Sequence, residues 1–114
     1  MVSTIKDWSP QDRPREKLME KGVSSLSDAE LIAILFSTGH QELSALDLAK
    51  KLMLHFENDL ILMARAPHSE LCKLKGIGPA KSLTVIAALE LGRRRRSAEA
   101  RKKTKIESSK DVFE

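Results

Sequence analysis

LCKLKGIGPAKS, residues 71–82, interrupts a helix-rich text with two glycines, an isoleucine between them and a proline directly after. Each glycine costs an ordered segment roughly 0.5–1 kcal/mol relative to alanine. A chain that accepts this cost twice needs a tight turn, a close approach, or both. Leu71 and Leu74 precede the turn at helical spacing, and Pro79 suits the first position of a following helix, where no amide hydrogen is required. The stretch therefore predicts helix, hairpin, helix, with Ile77 turned inward to pin the hairpin to a core.

The same pattern of starts and stops extends outward. PAKSLTVIAALELGRRRR predicts a final helix from about Pro79, continuing past Gly92 into the arginines. Its apolar stripe is read as Leu83, Ile86, Ala87 and Leu91, widened by Val85 and Leu89. Upstream, QDRPREKLMEKG gives a short helix capped by Asp12, with Pro14 in its first turn and Gly22 at its end. SDAELIAILFSTG carries a Ser27–Glu30 capping box and an apolar run stopped at Gly39, a helix expected to be buried on most sides. SALDLAKKLMLHF pairs Ser44 with Asp47 and repeats Leu46, Ala49, Leu52, Met53 and Phe56 at helical spacing. NDLILMARA is a shorter helix started by Asn58 or Asp59, and Pro67 opens another that runs to about Lys75.

No alternating strand pattern stands out, and few aromatics with no tyrosine favour packed helices. The expected fold is all-α, a compact bundle of about five to six short helices. ELIAILFSTG followed by SALDLAKKLM also echoes ELCKLKGIG followed by PAKSLTVIAAL. Two tandem helix-hairpin-helix units about an approximate twofold axis would share one core. The other reading is the likeness of any two helical hairpins.

At 114 residues, 41% hydrophobic and 32% charged, the chain suits one domain and a tail. Cys72 is the only cysteine, so no internal disulfide forms, and between Leu71 and Leu74 it reads as a small apolar residue. No stretch approaches the roughly 20 apolar residues of a membrane span, and MVSTIKDW lacks the apolar core of a signal peptide. A cytoplasmic protein with no membrane partner is expected. Charge is divided unevenly: residues 1–68 hold eight basic against ten acidic side chains, a balance of −2, and residues 69–114 twelve against six, a balance of +6. The basic half begins at the glycine turn, and its natural partner is a polyanion.

A helix starting directly after Gly-Ile-Gly-Pro leaves amides without intrahelical partners. Those of Gly76, Gly78, Ala80 and Lys81 can converge on one phosphate, aided by the helix dipole, with Lys75 and Lys81 as flanking charges and the Ser82 hydroxyl one step further. The plainer reading is an interhelical turn and nothing more. Arg93, Arg94, Arg95 and Arg96 likewise fit either a solvated helix end that complements the dipole or, with Arg101, Lys102, Lys103 and Lys105 beyond them, contact with a phosphate backbone. Each neutralised phosphate adds about −0.9 to the salt slope, so roughly three to five contacts give about −3 to −4.5. Amide-to-phosphate contact carries no base readout.

His40, His55 and His68 stand far apart with no H-x-H or HExxH spacing, and GIGPAKS lacks the gap of a nucleotide-binding Walker loop. No catalytic residue, cofactor or metal is expected in this chain.

LCKLKGIGPAKS resembles the helix-hairpin-helix DNA-binding motif, whose hairpin amides grip a nucleic-acid backbone, with Ser82 where the motif usually has alanine. More widely, IKDWSPQDRPREKL, LSDAELIAILFSTG, SALDLAKKLM and LCKLKGIGPAKSLTVIAALELGRR, in that order, resemble the N-terminal region of the RadC (UPF0758) family, bacterial proteins labelled as DNA repair proteins. The resemblance covers residues 4 to about 96; STGHQELSAL departs from the family's usual threonine-glycine loop. It implies a helix-hairpin-helix domain over 1–96 and a basic linker over 97–114, with DVFE starting a further helix. A JAB/MPN-like metalloprotease domain with a histidine- and aspartate-based zinc site would follow. The implied function is a sequence-independent DNA-binding module, favouring branched, nicked or single-to-double-strand structures. Its binding residues would be Lys75, Gly76, Ile77, Gly78, Ala80, Lys81, Ser82 and Arg93 to Arg96. The alternative is a protein-interaction or regulatory domain serving the downstream domain or another protein, which an exposed Trp8 and the charged first helix would suit. Enzymatic activity of the chain itself ranks last.

Overall fold

Capping chemistry sets where the helices begin. The computed structural model describes residues 13–113, with side chains to Ile106. Asp12 and Trp8, assigned roles above, lie outside the described residues. Six α-helices run along the described chain: α1 Arg13–Lys21, α2 Asp28–Phe36, α3 Ala45–His55, α4 Leu60–Arg65, α5 His68–Leu71 and α6 Pro79–Phe113, with one 3-10 turn at Val23–Ser25. No strand occurs among the described residues; the only bridge there joins His40 and Leu43. The architecture is all-α, as expected.

Gly22 closes α1 at φ 88°, its amide donating to the Leu18 carbonyl. Both capping boxes form. Ser27 Oγ accepts from the Glu30 amide while the Glu30 carboxylate accepts from the Ser27 amide, and Ser44 and Asp47 do the same for α3. Asp59, rather than Asn58, caps α4, accepting from the Ile61 and Leu62 amides.

The core is Ile32, Ala33 and Phe36 of α2 against Leu48, Ala49, Leu52 and Met53 of α3, closed by Met63, Leu71, Ile77 and Val85. Each large side chain buried here contributes about 1.5–3 kcal/mol through loss of apolar surface from water. The helix α2 is buried or half-buried at all but Asp28 and Leu35. It packs chiefly on α3, and α2, α4 and α5 all pack on α6.

Three expectations change. First, α5 ends at Leu71 instead of about Lys75, because the chain tightens into three-residue turns, Lys73 N to Glu70 O, Leu74 N to Leu71 O and Ile77 N to Leu74 O. Second, the face of α6 that meets the core is Ser82, Val85, Ile86 and Leu89; Leu83 and Leu91 are 52% and 67% exposed and Ala87 is exposed too. The stripe read from hydrophobicity is therefore rotated, because a buried serine marks the true inner face. Third, α6 is 35 residues long and runs without a break through residues 97–113, so 111–113 end this helix and do not start another.

Candidate nucleic-acid interface

The two glycines of the hairpin do different work. Gly76 stands at φ 95°, and a Cβ there would come within 2.8 Å of Leu48 Cδ2 and 3.0 Å of His40 Cβ. Only glycine meets both demands. Ile77 is 2% exposed and its amide donates to the Leu74 carbonyl, so it anchors the turn and presents nothing outward. Gly78 is exposed, and a Cβ there would meet nothing within 4 Å. Its carbonyl accepts from the Ser82 amide at 3.0 Å, the first bond of α6, which makes Gly78 the cap position. Among the described residues, the amides of Gly78, Ala80 and Lys81 have no hydrogen-bond partner, and Ala80 is exposed.

Ser82 differs from its expected role. Its side chain is wholly buried and its hydroxyl donates to the His68 carbonyl at 3.1 Å, tying α6 to α5 and leaving nothing for a ligand. Lys75 is exposed beside the turn. Lys81 reaches across to the loop between α2 and α3, its Nζ 3.5 Å from Thr38 Oγ1.

That loop escaped the sequence reading as part of the site. Ser37 adopts φ 66°, ψ −43°, and the Thr38 amide donates to the Phe36 carbonyl at 2.7 Å, a positive-φ γ-turn and a strained conformation for a serine. Gly39 is required for a different reason than stopping a helix, since a Cβ on it would run into the Leu43 carbonyl oxygen where the chain folds back through the His40–Leu43 turn. The sharp exit from α2 thus delivers Thr38 to Lys81 and His40 to Gly76.

The amino end of α6 is chemically unlike those of the neighbouring long helices. Glu30 accepts from the first backbone amide of its box, and this hydrogen bond from Ser27, aided by Lys17, holds its carboxyl below the usual range. Asp47 is lowered likewise by the Ser44 amide. These two helix ends carry their own anions. The first turn of α6 holds no acidic side chain, and its cap residue has no side chain at all.

The arginine run sits in the middle of α6, far from either terminus, so a dipole-complementing role does not apply. Arg93 grips Glu90 through Nε at 2.9 Å and Nη2 at 2.8 Å, and Arg94 Nε joins the same carboxylate at 2.8 Å. Those hydrogen bonds, from Arg93 first and Arg94 second, push the Glu90 carboxyl down to about 2. Arg95 pairs with Glu99 at 2.9 Å. Arg96 has no ion pair or hydrogen bond among the described residues.

Elsewhere the titratable groups hold the fold together. His55 Nε2 lies 3.2 Å from Glu70 Oε1, and Lys73 Nζ 2.9 Å from Glu70 Oε2, clamping the end of α3 to α5. Cys72 is half-buried, its Sγ 3.8 Å from His68 Nδ1. Among the described residues, no three histidine, cysteine or acidic side chains converge as metal ligands. No helix of the described residues is long and apolar enough to cross a membrane.

Comparison with known sequences then places the chain. Residues 5–83 match the family described as UPF0758 N-terminal. The chain belongs to the UPF0758 family, which is the RadC family. A UPF0758 protein of Flavobacterium johnsoniae is 50% identical over 109 residues, covering 96% of this chain and 47% of the relative. One from Geobacillus kaustophilus is 49% identical over 94 residues, 82% of this chain and 41% of the relative. One from Geotalea uraniireducens is 40% identical over 116 residues, 100% of this chain and 50% of the relative. The chain thus spans about half the length of the curated UPF0758 relatives it matches. No solved structure matches it.

Proposed function

We propose that this UPF0758 region is a sequence-independent DNA-binding module of a RadC-like DNA repair protein, in which a helix-hairpin-helix element grips backbone phosphate. The observation that carries this reading is the amino end of α6, where among the described residues the amides of Gly78, Ala80 and Lys81 have no partner, while α2 and α3 are closed by capping boxes that include their own carboxylates. An anion completes the hydrogen bonding of such an end and gains from the dipole. Lys75 and Lys81 supply charge beside it, and Arg96, without a partner among the described residues, extends the basic surface. Gly76, Ile77 and Ser82 shape the hairpin from inside.

Gly78→Asp tests it. The cap position has open space, and aspartate is a favoured cap, so the variant keeps or slightly raises helix stability while placing a carboxylate where the phosphate would sit. Binding to fluorescent duplex DNA is expected to weaken about tenfold or more, through loss of amide contacts and added repulsion, with the salt slope reduced by about 1. Unchanged affinity in a folded variant would overturn the reading.

A second reading, an interaction or regulatory domain, draws on Leu83 and Leu91, both strongly exposed on α6. In the whole protein its partner would be a JAB/MPN-like domain following in cis, with zinc held there, and any enzymatic activity would reside in that domain. A bacterial cytoplasm is the setting that suits DNA binding and a lone thiol.

A further inference from the structure

Beyond Leu89, the last core-packed residue of α6, the helix leaves the body of the domain, and all described side chains except the half-buried Glu90, Ser97 and Ala98 are exposed to Ile106. Such a single polar helix is suited to spanning between bodies. Its cations as far as Lys103 fall into two groups. Arg93, Arg94 and Arg95 are engaged by Glu90 and Glu99. Arg96, Arg101, Lys102 and Lys103 have no hydrogen-bond or ion-pair partner among the described residues. Arg96 and Lys103, seven residues apart, share a face with the small Ala100 between them, which lets a bulky rod lie close.

We infer that α6 acts as a spacer that holds a second set of phosphate contacts, made by Arg96 and Lys103 on their shared face, at a fixed distance from the hairpin on double-stranded DNA. The inference rests on the hairpin reading above. At about 1.5 Å rise per residue these side chains stand roughly 26–36 Å along the axis from Pro79. At about 3.4 Å per base pair this corresponds to a duplex of roughly 8–11 base pairs. A duplex is stiff over that length and cannot fold to bring near phosphates to the far cations, so short duplexes reach the hairpin alone. A single strand is flexible and would show no such threshold. The consequence is a minimum substrate length written into the helix.

The test uses the full chain and fluorescent stem-loops with stems of 6 and 16 base pairs, alongside a 16-nucleotide single strand. The wild type is compared with Gly78→Asp and with Arg96→Ala and Lys103→Ala combined, helicity being checked by circular dichroism. The wild type should bind the long stem about tenfold or more tightly than the short one. The combined variant should lose that advantage, with a salt slope on the long stem lower by about 1–2, and change less than about twofold on the short stem. Equal losses on both stems, no loss on the long stem, or an equal loss on the single strand would overturn the inference while leaving the hairpin reading intact, provided Gly78→Asp weakens both stems. If Gly78→Asp changes neither stem, the hairpin reading falls, and the spacer with it.

Discussion

Ser82 donates its hydroxyl to the carbonyl oxygen of His68 at 3.1 Å with its side chain fully buried, joining the fourth residue of α6 to the first of α5. The same carbonyl also accepts from the Cys72 amide at 3.0 Å, so it keeps a partner if the hydroxyl is removed. Ser82→Ala is therefore expected to cost only about 0.5–1.5 kcal/mol in chemical denaturation. DNA affinity should not change. Ser82→Leu should cost about 1–3 kcal/mol by forcing the two helices apart.

The glycines should respond oppositely. Gly76→Ala combines a positive φ with contact against Leu48 and His40 and is expected to lower stability by about 2–4 kcal/mol, roughly half from the left-handed backbone alone. Gly78→Ala, with open space around it, should stay within about 1 kcal/mol of the wild type. Thermal unfolding of the pair measures the contrast, and equal losses would contradict the packing described for Gly76.

Acid should weaken the fold through its caps and spare one carboxylate. The carboxyls of Glu30 and Asp47 are lowered chiefly by backbone amides, so the stability they provide is complete above the ordinary range near 4 and is lost as pH falls through their depressed values. Glu16 runs the other way. It is 8% exposed, its Oε2 has no hydrogen-bond partner, and burial, with Glu20 beside it, raises its pKa. Its proton is held more tightly in the folded chain, so its contribution is full below the ordinary range and lost as pH rises through the raised value. Glu16→Gln should therefore melt higher than the wild type at pH 7 and match it below about pH 4. Glu30→Ala with Asp47→Ala should melt lower at pH 7 and converge toward the wild type near pH 2. Melting curves across that range decide both.

Glu90 competes with any polyanion for Arg93 and Arg94. Glu90→Gln removes the charge that both arginines neutralise while keeping a helix-compatible side chain. Duplex affinity is expected to rise and the salt slope to steepen by about 1–2, read from binding at two salt concentrations. A flat response would mean that Arg93 and Arg94 take no part in DNA binding.

What could be read from the sequence was what is decided within a few residues. Ser27 with Glu30, Ser44 with Asp47, and Asp59 ahead of LILMAR each act within one helical turn, and each forms as the spacing indicates. The inner face of α6 was misread because hydrophobicity favours Leu83 and Leu91, whereas the tight closure onto α5 selects a small residue at position 82. The length of α6 was hidden by polarity: residues beyond 96 offer no core side chain, yet Arg95 and Glu99 at helical spacing support the helix locally. The approach of Thr38 to Lys81 joins positions far apart in the chain and depends on the γ-turn at Ser37, which no local pattern signals.

Because α6 is one unbroken rod of 35 residues, about 52 Å long at 1.5 Å per residue, it is also a lever with a short arm seated in the core. A tilt of about 10° where the helix leaves the core at Leu89 would swing the far end, roughly 36 Å away, by about 6 Å. Small rearrangements where the hairpin meets its load are thereby geared into large displacements of whatever the helix carries.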